Sequence, residues 1–230
     1  MAICGRDERV LQQTVEEIQA QTRSEVIAVK ANMTKLNDIR RFISTAAKKF
    51  NRVDILVNNA GGGHIGTIAT ITDEEWEYHI QLKLLGYIRT ARETIPYMKE
   101  TGGGKIINII GMAARDPSPN YMLPGVTNAA LMNFTKSLAK TLEKDGITVN
   151  AVNPGTTETP LAEQIVAALS SLTLKPMEEI KATIASSFPH GRIAATEDIA
   201  KVAVFLASDM ANFINGVTIN VDDGKSTAVW

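Results

Sequence analysis

Hydrophobic and polar positions follow two periods along this chain, and their alternation predicts a repeated strand–helix order. Short apolar runs that end at turn residues predict strands buried on both faces. Longer stretches with an apolar residue every three or four positions predict helices packed against those strands. Strands are expected at 26–29, 55–57, 105–110, 147–152 and 217–221, and residues 1–4 look like the end of another. Helices between them predict a mainly parallel sheet with helices on both faces, an α/β fold.

The stretch from Val53 to Gly63 is the centre of this pattern. Its strand formers stop abruptly at Asn58, which is followed by Asn59, Ala60 and three glycines. Paired asparagines at the end of a strand can tie neighbouring loops together, and glycines let backbone approach a ligand closely. Ligands of open α/β sheets bind at the carboxyl ends of the strands. This strand is therefore the predicted floor of a site.

Composition excludes several other classes of protein. The chain has 230 residues, 44% hydrophobic and 21% charged, and no linker divides it, so a single domain over 1–230 is expected. A formal net charge of -1 without a basic block argues against nucleic acid and membrane partners. Cys4 is the only cysteine and the histidines show no metal spacing, so we expect neither disulfide nor metal. No signal peptide or membrane span is visible, which predicts a cytoplasmic protein.

Four motifs, in one order over nearly the whole chain, carry a resemblance to a known family. They are N-N-A-G at 58–61, N-A-V-N-P-G at 150–155 with Thr159 beyond it, F-L-A-S-D at 205–209, and Gly216 with D-D-G at 222–224. Together they resemble the short-chain dehydrogenase/reductase family. The resemblance implies a Rossmann-like, doubly wound sheet that binds a nicotinamide dinucleotide and supports hydride transfer.

The beginning of the sequence departs from that family. Its members open with a strand and a glycine-rich turn that holds the pyrophosphate, whereas this sequence starts where their second strand ends. The resemblance therefore implies that the first strand–helix unit is missing, through either a trimmed start or a natural one. The central position of the sheet would then be empty. The two flanking strands would expose unpaired backbone unless they pair with each other or with another chain.

The catalytic positions depart from the family as well. Its members use a serine, a tyrosine, a lysine four residues later and an asparagine on the preceding helix. The matching positions here are Gly111, Pro124, Asn128 and Lys83, so the usual acid–base route is not available. Tyr121 is a possible substitute for the phenol, or a loop tyrosine that only packs.

Lysine and asparagine have exchanged places relative to the family, with Lys83 where asparagine is expected and Asn128 where lysine is expected. One hypothesis is that Lys83 brings its ammonium into the site from the opposite wall and contacts Asn128 or the ribose hydroxyls. The alternative is that Lys83 extends to solvent and its stem covers apolar surface.

The resemblance also implies which residues hold the cofactor. Arg6 lies where a ribose 2′-phosphate would be, so NADP(H) is expected in preference to NAD(H), unless Arg6 is a solvated turn residue. Asn32 and Met33 occupy the adenine position or a simple loop. The remaining implied contacts are Asn58, Ala60, Gly61, Pro154, Gly155, Thr157 and Thr159.

Two segments bear on partners and substrate. The helices that include Glu74 and Asn128 are apolar on more than one face, so the resemblance implies a homodimer or homotetramer; packing against the sheet alone is the alternative. Residues 156–189 resemble the family's substrate lid, in which several side chains form an apolar pocket: Leu161, Ile165, Leu169, Leu172 and Met177.

The chain is thus expected to be an NAD(P)(H)-dependent oxidoreductase of an apolar carbonyl or alcohol. The alternative is a non-catalytic binding or assembly protein of the same fold.

Overall fold

The computed structural model describes residues 1–227 and has the alternating strand–helix order that the sequence predicts. The strands are β1 (Ala2–Gly5), β2 (Ile27–Lys30), β3 (Ile55–Asn58), β4 (Gly104–Ile109), β5 (Ile147–Pro154) and β6 (Thr218–Val221). The helices are α1 (Glu8–Gln21), α2 (Leu36–Phe50), α3 (Asp73–His79), α4 (Leu85–Glu100), α5 (Met122–Thr141), α6 (Pro160–Thr173), α7 (Met177–Ser186) and α8 (Thr196–Ala207).

All strand pairs are parallel, and the strands form two sheets. β3, β4, β5 and β6 make the larger sheet in that order, and β1 pairs with β2 in the smaller one. Asn58 is in register with Asn108, and Ile109 with Val152. The carboxyl ends of neighbouring strands therefore lie along one edge of the larger sheet, where α/β proteins bind their ligands. This is the Rossmann-like architecture that the sequence predicts.

The inner edges of the two sheets remain apart. Within residues 1–227, β1 pairs only with β2 and β3 only with β4, so the two strands do not pair with each other. Ile55 and Val57 on β3 are about half exposed, while Leu56 between them is buried. The smaller sheet is attached through α2 instead, since Met33 and Ile39 pack in one cluster with Leu82.

Helices cover both faces of the larger sheet, and consecutive residues of β4 show this directly. Ile106 packs in a cluster with Ala91 and Met98 of α4, and Ile107 packs on the other side with Leu206 of α8. Successive strand residues point to opposite faces, so β4 is buried from both sides. Among residues 1–227, no helix combines the length and the apolar character needed to cross a membrane.

The sequence from Thr72 to Ile95 predicts one long helix that opens with a capping box of Thr72 and Glu75. The capping box is present, but the helix is interrupted. After α3, however, residues Ile80–Leu84 form a π-helical turn, in which the Leu85 N–H donates to the Ile80 carbonyl five residues earlier. Such a turn holds one residue more than an α-helical turn, and it is often found at functional sites.

Candidate functional site

A buried polar network forms the floor of the site at the carboxyl edge of the sheet. Asn58 Nδ2 donates to Asn108 Oδ1 at 2.9 Å, and Asn108 Nδ2 donates to Thr135 Oγ1 at 3.0 Å. The Thr90 hydroxyl donates to Asn58 Oδ1 at 2.6 Å. Both polar atoms of the Asn58 side chain are therefore bonded within the protein. Asn58 ties β3 to β4 and α4, while its neighbour Asn59 is exposed.

The glycine loop after β3 passes over this floor. Gly61 is exposed, and a Cβ added there would lie 3.5–3.7 Å from the stem and ammonium of Lys83. A Cβ on Gly63 would come within 2.9 Å of Tyr121 Oη and 2.8 Å of Ile165 Cδ1, which is closer than real contacts allow. A side chain at Gly63 would have to displace the tip of Ile165 on α6 or the Tyr121 phenol.

Lys83 lies under this loop and is buried, with only 7% of its surface exposed. Its Nζ donates to the Ile110 carbonyl at 2.6 Å, immediately after β4. Burial lowers the pKa of Lys83 from 10.5 to about 8, because the low-dielectric interior disfavours the charged form. The alternative in which Lys83 extends to solvent is therefore wrong. No hydrogen bond joins Lys83 to Asn128 within the described part of the chain.

Gly111 and Asn128 are packed against each other at the end of β4. Gly111 has a φ of +144°, and a Cβ there would lie 2.9 Å from Asn128 Nδ2. Asn128 Nδ2 donates weakly to the Gly111 carbonyl at 3.4 Å. A serine side chain at Gly111 would be strained and would press on Asn128. Asn128 Oδ1 is buried and has no hydrogen-bond partner among residues 1–227.

Tyr121 and Pro124 lie on opposite sides of the start of α5. Pro124 is buried in the first turn of the helix, where a missing N–H does no harm. Tyr121 is the residue just before the helix, and its phenol points to Gly63, on the side where Ile165 of α6 also lies. Burial raises the pKa of Tyr121. The phenol thus lines the α6 side of the glycine loop.

Sequence reasoning missed His79 and Thr127, which support the glycine loop from below. His79 Nε2 lies 3.0 Å from the Gly62 carbonyl, which can only accept, so Nε2 carries the hydrogen. Nδ1 then accepts from the Thr127 hydroxyl at 3.3 Å. Burial lowers the pKa of His79, which favours the neutral ring. In the sequence, His79 lies four residues before Lys83, which predicts that both side chains lie on the same helical face. This spacing could have identified His79 as a site residue.

The residues expected near the adenine and the 2′-phosphate lie at the ends of β1 and β2. Arg6 donates to Tyr78 Oη at 3.0 Å across to α3. Asn32 Oδ1 accepts the backbone N–H of Thr34 at 3.0 Å and so shapes the turn before α2. The Met33 side chain is buried in the core, which leaves only its backbone for a ligand.

β5 ends at Pro154, and the loop that follows begins with Gly155 at the same edge of the sheet. The Thr157 hydroxyl donates to the Gly155 carbonyl at 3.1 Å. The Thr159 hydroxyl accepts from the N–H of Ala162 at 3.2 Å and caps α6. These bonds shape the path by which the chain leaves the sheet and enters α6.

This geometry defines a class of protein: a Rossmann-like α/β protein whose site lies at the carboxyl ends of parallel strands, under a glycine loop. Comparison with known proteins is in agreement. A family described as Enoyl-(Acyl carrier protein) reductase matches residues 1–226. The chain belongs to the short-chain dehydrogenase/reductase family.

Its relatives in this family are reductases. The 3-oxoacyl-(acyl-carrier-protein) reductase FabG of Thermotoga maritima is 31% identical over 193 residues, which cover 84% of this chain and 74% of that protein. L-sorbose reductase of Gluconobacter frateurii, solved with NADPH and L-sorbose, is 30% identical with a TM-score of 0.93, covering 99% of this chain and 87% of that one. A variant of actinorhodin polyketide ketoreductase solved with NADPH is 27% identical with a TM-score of 0.94, covering 98% and 87%.

Proposed function

We propose that this protein is an NADPH-dependent reductase of apolar carbonyl compounds, working in the cytoplasm with acid–base groups that differ from the family's usual set. The observation that carries this proposal is the match, along nearly the whole chain, to reductases solved with NADPH. When bound, the cofactor supplies the hydride.

The residues of the site fit such a cofactor. Gly61 and Gly62 leave bare backbone at the edge of the sheet, and a Cβ on Gly62 would meet no atom within 4 Å. Asn128 Oδ1, buried and without a partner among the described residues, is an acceptor that remains to be satisfied by a ligand or a water. Arg6 forms no ion pair within residues 1–227, so its guanidinium is free to receive a 2′-phosphate.

Each group of residues would hold a different part of the cofactor. Arg6 would receive the 2′-phosphate, and Asn32 with the backbone of Met33 would hold the adenine. The nicotinamide half would lie along Ala60–Gly61 and the loop of Pro154, Gly155, Thr157 and Thr159. In this assignment a single cation, that of Arg6, would favour NADP(H) over NAD(H).

The lid defines the substrate class. α6 and α7 bring Ile165 against Gly63 and bury Val166 and Ile180, so the space above the glycine loop is bounded by apolar side chains. A ketone with an apolar substituent fits such a wall, because its carbonyl can point down to the polar floor while its substituent packs under the lid.

The test uses the 230-residue protein. Titration with NADPH, followed by the fluorescence of the reduced nicotinamide, is expected to show saturable binding, weaker for NADH. Consumption of NADPH is then followed at its absorbance band with a panel of apolar ketones, with sugars and carboxylates as the contrasting substrates. Binding without turnover of any ketone would leave a non-catalytic binding protein as the function.

We also propose that two copies assemble through α4 and α5. α5 exposes the apolar Val126 at 54%, on a face of the helix that also exposes Ala129 and Asn133. Light scattering coupled to gel filtration is expected to give twice or four times the monomer mass of 24.9 kDa. A monomer at micromolar concentration would exclude this assembly.

A further inference from the structure

Lys83 is an unusual buried cation. Lysines are almost never buried unless they are paired, yet no carboxylate of residues 1–227 lies within ion-pair distance of its ammonium. The only hydrogen bond of Lys83 in that range goes to the Ile110 carbonyl at 2.6 Å. An ammonium has three donors, so two N–H groups remain available.

Its location points these donors to the site. The stem and ammonium lie 3.5–3.7 Å from where a Cβ of Gly61 would be, and Gly61 itself is exposed. The ammonium therefore lies directly against the bare backbone of the glycine loop. It lies between the loop after β3 and the loop after β4, where the proposed cofactor and substrate meet.

Asn128 provides the complementary acceptor. Lys83 donates to the carbonyl of Ile110 and Asn128 donates to that of Gly111, so the two side chains contact consecutive peptide groups at the end of β4. Asn128 Oδ1 is buried without a partner in the described part of the chain, and the bare side of Gly111 faces the Nδ2 of the same amide. A hydroxyl group can accept from an ammonium and donate to an amide oxygen at the same time.

Burial also suits Lys83 to proton transfer. Its lowered pKa of about 8 leaves it protonated at neutral pH and still a much stronger acid than an exposed lysine. No charged neighbour contributes to the shift. The titratable groups on the elements packed around Lys83 are His79 and Tyr87 on its own helix, His64 with Glu75 beside the glycine loop, and Tyr121 at the start of α5.

We propose that Lys83 is the catalytic acid of this reductase and that Asn128 Oδ1 holds the hydroxyl it produces. This inference rests on the proposed function. A bound reduced nicotinamide would supply the hydride to the carbonyl carbon. As the carbon–oxygen π electrons move to oxygen, Lys83 Nζ would give that oxygen its proton. The neutral amine is then reprotonated by water. Asn128 Oδ1 can accept a hydrogen bond from the hydroxyl of the alcohol product, whereas the ketone oxygen has no hydrogen to donate. This acceptor therefore stabilises the alcohol more than the ketone.

The test compares wild type with Lys83→Met, Lys83→Arg and the exposed control Lys48→Met. We expect Lys83→Met to lower kcat by about 10²–10⁴-fold, with the Kd for NADPH changed less than tenfold. Lys83→Arg should lose kcat equally, because a guanidinium keeps the charge but does not release a proton. Wild-type kcat should fall above about pH 8, and the residual rate of Lys83→Met should not.

A second readout does not depend on turnover. In protein with ¹³C-labelled lysine, the Cε resonance that disappears in Lys83→Met is expected to titrate near pH 8 and to shift when the alcohol product is added. Either Lys83→Met or Lys83→Arg removes this resonance and so assigns it, and the titration itself is measured on wild type. The measurement therefore decides even if one of the two variants does not fold.

Several outcomes would overturn the assignment. Full kcat in Lys83→Met or Lys83→Arg, or a Cε resonance that titrates near 10.5, would remove the acid role and leave the proposed function standing. A kcat loss of a hundredfold or more in Tyr121→Phe, with Lys83→Met active, would give the role to the phenol. If wild type binds NADPH but reduces no ketone, both the proposed reductase function and the proposed role of Lys83 as catalytic acid are wrong.

Discussion

The buried ammonium of Lys83 makes the stability of the protein depend on pH. Its pKa falls from 10.5 to about 8 on folding, so between these values the unfolded chain binds a proton that the folded chain has released. The free energy of unfolding therefore rises with pH across this window. Relative to Lys83→Met, wild type should gain up to about 3 kcal/mol between pH 7 and pH 10.

Urea denaturation of the two proteins at several pH values measures this difference, and Lys48→Met serves as the surface control. Parallel stability curves for wild type and Lys83→Met would mean that the lysine titrates alike in the folded and unfolded chains. The buried position of the ammonium would then be wrong.

Gly111 offers a second prediction for a single residue. Gly111→Ala should lower the free energy of unfolding by about 1–3 kcal/mol, because alanine is strained at a φ of +144° and its Cβ would press on Asn128. Gly62→Ala is the matched control, since its Cβ would meet open space. In an Asn128→Ala background the cost should fall by at least about 0.5 kcal/mol, measured in a double-mutant cycle.

Sequence spacing could place Lys83, Gly111 and Asn128 on neighbouring elements, and the structure does bring them to the end of β4. Sequence spacing could not identify the hydrogen-bond acceptor of Lys83. Every residue has a backbone carbonyl, and nothing in the sequence distinguishes that of Ile110. His79 was set aside for lack of metal spacing. Its role depends on a tertiary contact with Gly62, which no local pattern records. The catalytic and cofactor roles of all these residues stay predictions.

At the scale of elements, the apolar runs predicted the strands to within a residue or two. The predicted strand at 105–110 is observed as Gly104–Ile109, and that at 26–29 as Ile27–Lys30. The π-helical turn at Ile80–Leu84 was not predicted, because apolar spacing fixes which face of a helix is buried and says little about a single extra residue within it.

The side-chain network under the site joins four elements and carries a prediction of its own. Asn108→Ala removes the acceptor of Asn58 Nδ2 and leaves that amide nitrogen buried without a partner. It also removes the donor to Thr135 Oγ1, which keeps only its bond to the Leu131 carbonyl. We expect the free energy of unfolding to fall by about 2–4 kcal/mol, by urea denaturation. Asn133→Ala on the exposed side of α5 is the control. A loss below about 0.5 kcal/mol would show that the network does not stabilise the sheet.

At the scale of the whole molecule, the two sheets should differ in local stability. β4 and β5 are paired on both sides and covered on both faces, whereas β1 and β2 pair only with each other and are largely half-buried or exposed within the described residues. In native-state hydrogen exchange, the amides of β1 and β2 are expected to exchange much faster than those of β4 and β5. Equal protection would mean that the molecule opens as one unit.

The extra residue in the π-helical turn affects how α3 and α4 are placed relative to each other. Their arrangement therefore depends on the number of residues between them as well as on their side chains. Removing one residue between His79 and Leu85 would restore ordinary helical winding and rotate one flanking segment against the other by about 100°. His79 and Tyr87 could not both keep their present partners, Gly62 and Ile109. In homologous chains, a single-codon deletion at this point would therefore be a stronger sign of altered chemistry than most amino-acid replacements nearby.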